Sequence, residues 1–198
     1  MTKYVLDSGG LRKNPEKARE FFAEVLKDLG AQPRVLFCFF ASGREYWEEK
    51  MTEYMNRFQK MSPEGIKPSF ELALPDSFAE QMATSDAIML FGGDDTLLQY
   101  WLKQYDIPTI WNNKVVAGSS AGSDALCVHF WTCDWRKCMD GLGMLHIKFI
   151  PHYESDFGSL DPRGPINWKA ALDELKQYGD RNLPIHALKE GEYIVIEQ

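Results

Sequence analysis

The sequence has no apolar run approaching the ~20 residues that a membrane-spanning helix needs, so no membrane span is expected. Its start, MTKYVLDSGG, is broken by charge and glycine before an apolar core forms, so no secretory signal is expected either. Basic excess is missing as well. The 22 Lys and Arg stand against 29 Asp and Glu, a formal charge of −7, which argues against nucleic acid or an anionic membrane as partner. Cysteine is scarce, at positions 38, 127, 133 and 138, and without export these are expected to be reduced thiols of a cytoplasmic protein. His129, Cys133 and Cys138 form H-x3-C-x4-C, which lacks the paired spacing and fourth ligand of a structural zinc site, so no metal is expected. There is no G-x-G-x-x-G, and the FGGDD run ends in two carboxylates that would repel a pyrophosphate, so no nucleotide cofactor is expected. No repeat, linker or low-complexity tract interrupts residues 1–198, which read as a single domain.

What is present reads as a globular chain, 44% hydrophobic and 26% charged. Apolar strand-like runs alternate with helical periodicity. KYVLDS reads as a strand stopped by Gly9 and Gly10. Asn14 is placed as a helix cap with Pro15 in the first turn. RVLFCFFAS and DAIMLFGG are continuous apolar runs, the mark of strands covered on both faces, and Cys38 inside the first is expected in the core. REYWEEKMTEYMNRFQKM and INWKAALDELKQYG carry helical stripes. MLHIKFIPHY reads as a strand, and LPIHALKEG and EYIVIEQ as a closing strand pair. Such alternation predicts an α/β fold, a doubly wound and mostly parallel sheet with functional groups at the strands' carboxyl ends.

One such end is VVAGSSAGSDAL, residues 115–126. Ser120 stands between Gly118 and Gly122 where a strand hands over to a helix. An ordinary βα turn needs small residues there; so does a nucleophile elbow, in which a strained serine aims its hydroxyl outward. A serine nucleophile needs a base. Of the four histidines, His129 follows the elbow helix and His146 and His186 lie within strands, whereas His152 comes just after an apolar strand and a rigid proline.

The set FGGDDT (91–96), VAGSSAG (116–122), GLGMLHIKFIPHY (141–153) and ALKEGEYIVIE (187–197) resembles peptidase E, the aspartyl dipeptidase family of serine peptidases, to which cyanophycinases are related. The order and approximate spacing match over nearly the whole chain. The resemblance implies a fold like the class I glutamine amidotransferase domain, a flavodoxin-like three-layer sandwich. It implies Ser120 as nucleophile, His152 as general base and Glu190 as the carboxylate that orients the histidine. Glu154, in H-x-E order, and Asp134 are the other candidates for that acid. An oxyanion hole is expected from Ala121 and the Gly92-Gly93-Asp94 turn. The implied substrate is a small peptide, including dipeptides with an N-terminal Asp, and a homodimer is left open.

Two departures from the family pattern bear on function. The family's turn usually reads G-G-G-N-T, and here Asp94 replaces the third glycine; if that position needs φ > 0, the backbone is strained. Asp94 is also a candidate counter-ion for a peptide's amino terminus. The family's glycine-glutamate-threonine-arginine run after the histidine is replaced by RGPINWKAALDEL, in which Arg163 and Lys169 are the candidates to supply the lost positive charge. Two further readings stand beside a peptidase: a member that has lost catalysis and serves as a binding protein, and a non-peptidase serine hydrolase such as an esterase.

Overall fold

Short runs of β-branched and aromatic residues alternate with amphipathic stretches, and the computed structural model, which describes residues 1–198, turns them into alternating strands and helices. The first half runs β1 (Lys3–Asp7), α1 (Pro15–Leu26), β2 (Arg34–Cys38), α2 (Trp47–Met61), β3 (Ser69–Leu72), α3 (Phe78–Thr84) and β4 (Ala87–Leu90). Then come α4 (Asp95–Leu102), α5 (Ile107–Ile110), β5 (Val115–Ser119) and α6 (Ala121–Leu126). The remainder is β6 (Cys127–Thr132), β7 (Lys137–Asp140), β8 (Leu145–Ile150), α7 (Trp168–Gln177), β9 (Ile185–Ala187) and β10 (Tyr193–Glu197).

The main sheet has the order β10-β1-β5-β4-β2-β3, parallel except for β10, which runs antiparallel to β1. Every residue of β4 is buried, as is every residue of β2 after Arg34, which is why these runs carry no polar alternation. Phe37 on β2 meets Phe58 of α2 and Phe70 of β3 at ring-centroid distances of 5.5 and 4.7 Å. Phe40, just beyond β2, packs on Trp47, Phe78 and Trp101. In register, Asp7 of β1 lies beside Ser119 of β5, and Gly118 lies beside Leu90 of β4. The carboxyl ends of the three strands therefore open together.

A second sheet, β7-β6-β8-β9, was not expected. Its own small core, with Trp131, Ile150, Ile166 and Leu175, lies under α7. Within it Lys148 of β8 is fully buried, and its ammonium donates to the Leu175 carbonyl at 2.8 Å and to those of Lys176 and Tyr178. A cation at the carboxyl end of α7 satisfies carbonyls that the helix leaves open.

The closing strands are strands, but they do not pair with each other. β9 pairs with β8, and β10 with β1. The chain between them crosses from one sheet to the other, stitched to the end of β1 by Ser8 N–H to Glu192 O (3.1 Å) and Gly191 N–H to Gly9 O (2.9 Å). That crossing carries Glu190. A smaller correction concerns Asn14, whose side chain does not cap α1; its amide donates to Gly10 O at 3.3 Å.

Candidate active site

Ser120 follows β5 directly and precedes α6, with φ 52° and ψ −118°. A non-glycine residue at positive φ is held there only by its surroundings. The Ser120 N–H donates to Asp7 O at 3.0 Å, and the glycines on either side permit close approach. A Cβ at Gly118 would sit 2.7 Å from Gly122 backbone, and one at Gly122 would sit 2.1 Å from Leu90 O. Small residues here let α6 press onto β4 and β5, and the serine hydroxyl is turned outward as a result.

The hydroxyl meets an imidazole. Ser120 Oγ lies 3.0 Å from His152 Nε2, and His152 Nδ1 lies 3.1 Å from Glu190 Oε1. With the carboxylate accepting from Nδ1–H, Nε2 is left to accept from the serine. His152 is itself at positive φ (55°), and its N–H donates to Ser8 Oγ at 2.7 Å. Ser8 in turn donates to Leu188 O at 2.8 Å, so one hydroxyl ties the ends of β1, β8 and the Glu190 crossing together. The Phe157 ring stacks on the imidazole at 4.1 Å. Burial lowers the His152 pKa from its ordinary value, and the Glu190 carboxylate opposes this only in part. Burial thus favours the neutral ring, the form that accepts a proton from the serine. Lys13 closes the row, 3.3 Å from Glu190 Oε2 and 3.2 Å from Asp156.

Asp7 lies beneath this row and is fully buried. Its Oδ2 accepts from Gly9 N–H (2.9 Å) and from the Ser119 hydroxyl (2.7 Å), while Oδ1 has no partner. Burial pushes its pKa up to about 8, against those two hydrogen bonds.

The remaining candidates are placed elsewhere. Glu154 is exposed and pairs with Lys189 at 3.0 Å, not with His152. Asp134 lies on the rim of the cavity that Ser120 and His152 line. Arg163, expected in substrate binding, does not line that cavity; its guanidinium is engaged by Asp161 at 2.5 Å and by Asp134 O at 2.7 Å. His129 pairs with Asp140 at 2.7 Å while Cys133 Sγ lies 3.3 Å from Pro151 O, so these do not converge on a common point. All four cysteines are buried, and burial pushes the Cys38 thiol up to about 12, far from a thiolate.

Asp94 requires a correction. Its φ is −77°, an ordinary conformation, and the strained position is Gly93 at φ 150°. A Cβ at Gly93 would sit 2.2 Å from Ala41 O, so glycine is required there and not at 94. The Asp94 N–H donates to Ala41 O at 2.8 Å, which removes it from the expected oxyanion donors. Its carboxylate caps α4, accepting from Thr96 N–H (2.8 Å) and Leu97 N–H (2.9 Å), and does not line the cavity, so it is not placed as a counter-ion for substrate.

The cavity beside Ser120 has a volume of about 430 Å³. Part of its wall was missed in the sequence. Lys50, Tyr54, Arg57 and Phe58 of α2 all line it, at the i, i+4, i+7, i+8 spacing of one helix face. The signal was two cations on a stripe that otherwise reads as core.

A sequence model of peptidase family S51 matches residues 4–198. The chain belongs to that family. It is accordingly a serine peptidase of the peptidase E type. No curated protein matches the chain in sequence. Among solved structures it is similar to a peptidase from an acI-B1 Actinobacterium, with a TM-score of 0.67 and 21% identity over 99% of this chain and 83% of the other. It is similar also to a protein assigned as peptidase E from Listeria monocytogenes EGD-e, with a TM-score of 0.67 and 17% identity over 99% of this chain and 94% of the other. At such identities the likeness speaks for the fold, and no helix of this S51 chain is long and apolar enough to cross a membrane.

Proposed function

We propose that this S51 peptidase hydrolyses short peptides, dipeptides foremost, with Ser120 as nucleophile, His152 as general base and Glu190 as the orienting acid. The observation that carries this reading is the unbroken chain from Ser120 Oγ to His152 Nε2 (3.0 Å) and from His152 Nδ1 to Glu190 Oε1 (3.1 Å) at the wall of a small cavity.

Ser120 Oγ attacks the scissile carbonyl carbon as its proton passes to His152 Nε2, and Glu190 stabilises the imidazolium that forms. The oxyanion lies against the N–H groups of Gly93 and Ala121, one from each glycine-bounded strand end. His152 returns the proton to the leaving amine as the C–N bond breaks. Water, deprotonated by the same imidazole, then releases the acyl group from Ser120. The cavity supports a small substrate: its volume of about 430 Å³ has room for a ligand of one or two residues.

Labelling with a fluorophosphonate probe tests the nucleophile. The expected result is one adduct on Ser120, lost in Ser120→Ala together with peptide hydrolysis while the melting temperature is retained. Turnover in Ser120→Ala, or an adduct elsewhere, would overturn the assignment.

A further inference from the structure

Four cations line the cavity beside Ser120, and they are not alike. Arg12 is paired with Glu53 at 2.9 Å, and Lys13 with Glu190 and Asp156. Lys50 and Arg57, both half-buried on α2, have no carboxylate within ion-pair distance. The Lys50 ammonium has only the Ser42 hydroxyl, at 2.6 Å, and Arg57 only the Leu11 carbonyl. Burial lowers the Lys50 pKa, as does the neighbouring Arg12 charge, against the pull of Glu53. Two half-buried charges answered by neutral oxygens are a site that an anion improves, because charge-assisted hydrogen bonds are roughly twice as strong as neutral ones.

The surface around them is apolar. Tyr54 stands between Lys50 and Arg57 on the same helix face, with the Arg12 guanidinium 5.2 Å over its ring. Tyr54 packs on Phe91 at 4.4 Å and on Phe58 at 6.2 Å, and all three line the cavity. A ligand that suits this wall carries a carboxylate and a large apolar group diverging from nearly one point. The last residue of a peptide has that form: an α-carboxylate and a side chain on one carbon. Asp134, on the same cavity's rim, offers the opposite charge that a free amino terminus needs.

We propose that Lys50 and Arg57 form the subsite for the free C-terminal carboxylate of a short peptide, whose last side chain, aromatic or large aliphatic, lies on Tyr54, which buried Phe58 and Phe91 back from the core. The proposal rests on the reading of Ser120 as nucleophile only in that the bound peptide is then cut. It makes α2 a gauge of substrate length, since a chain continuing past this residue has no carboxylate to offer.

Calorimetric titration of the Ser120→Ala protein tests it without turnover, so a failure here is separable from a failure of the nucleophile assignment. Ala-Phe is expected to bind at least tenfold more tightly than Ala-Phe-amide and than Ala-Gly. Adding Lys50→Met or Arg57→Met should weaken Ala-Phe about tenfold or more and leave Ala-Phe-amide unchanged, with Lys50→Arg restoring the affinity. Equal Kd values for acid and amide, or an Ala-Phe Kd untouched by both Met variants, would overturn the subsite. So would Asp-Phe-amide binding as tightly as Asp-Phe with loss in Lys50→Met, since the carboxylate recognised would then be an acidic side chain.

Discussion

Gly9 lies directly under the imidazole of His152, so that a Cβ at position 9 would sit 2.3 Å from Cε1 and 2.8 Å from Nε2. Its φ of 100° adds a second reason for glycine. The ring has little room to retreat, since Phe157 stacks on it at 4.1 Å. Gly9→Ala is therefore expected to push Nε2 away from Ser120 and lower kcat by roughly 10²-fold, the usual consequence of an ångström-scale misplacement. Steady-state kinetics on a dipeptide, with circular dichroism to check the fold, measures this. A kcat near that of the parent would mean that the imidazole's position is not set by β1.

Ser120 was legible because only small residues allow a strand end to press on a following helix, and VVAGSSAG carries five of them around the serine. His152 was legible from its place after an apolar strand and Pro151. Glu190 came from family resemblance, for nothing local marks one acid among many; its position is made by the crossing between sheets, a long-range feature. The second sheet was hidden because β6 begins at Cys127 directly after the six-residue α6, leaving no turn residues to mark the change. Lys50 and Arg57 were hidden for the opposite reason, two charges within a stripe whose aromatic neighbours read as core. At Asp94 the family pattern pointed to a strained glycine position one residue away from where the backbone puts it.

The orienting acid can be read from a pH profile. Glu190 raises the His152 pKa by hydrogen bond and by charge, while burial lowers it. Glu190→Gln removes the charge, so the acid limb of kcat/KM is expected to move to lower pH as the rate falls by roughly 10³-fold or more. Glu154→Gln should change neither, because Glu154 pairs with exposed Lys189. Equal losses in the two variants, or an acid limb that moves upward in Glu190→Gln, would remove Glu190 from the role.

Asp94 should behave as a helix cap and as nothing more. Asp94→Ala frees two N–H groups of α4 and is expected to lower stability by about 1 kcal/mol, with KM and kcat close to the parent's. Asp94→Asn should recover most of the loss. Denaturation midpoints and dipeptide kinetics on the same preparations decide this; a KM that rises in Asp94→Ala would restore the residue to substrate binding. Gly93→Ala, by contrast, sets a Cβ against Ala41 O at 2.2 Å and should lower kcat by shifting the N–H proposed above as an oxyanion donor.

Asp7 predicts a pH dependence of stability. Its carboxyl has a folded pKa of about 8, raised by burial, against an unfolded value of roughly 3.9. Between those values the folded chain holds a proton that the unfolded chain has lost. The group's contribution to stability is therefore full below about pH 4, declines as pH rises, and is lost once pH passes the folded pKa, with a slope of at most about 1.4 kcal/mol per pH unit. Asp7→Asn keeps an oxygen for Gly9 N–H and the Ser119 hydroxyl and sets a permanently neutral group where Oδ1 now has no partner. Relative to the parent, the variant should gain stability steadily from pH 5 to 8 and gain nothing further above that. Urea denaturation of both proteins at several pH values measures the difference. A constant offset across that range would mean that Asp7 is ionised in the folded protein, and the turn at Ser120 would then rest on a buried charge instead of a buried acid.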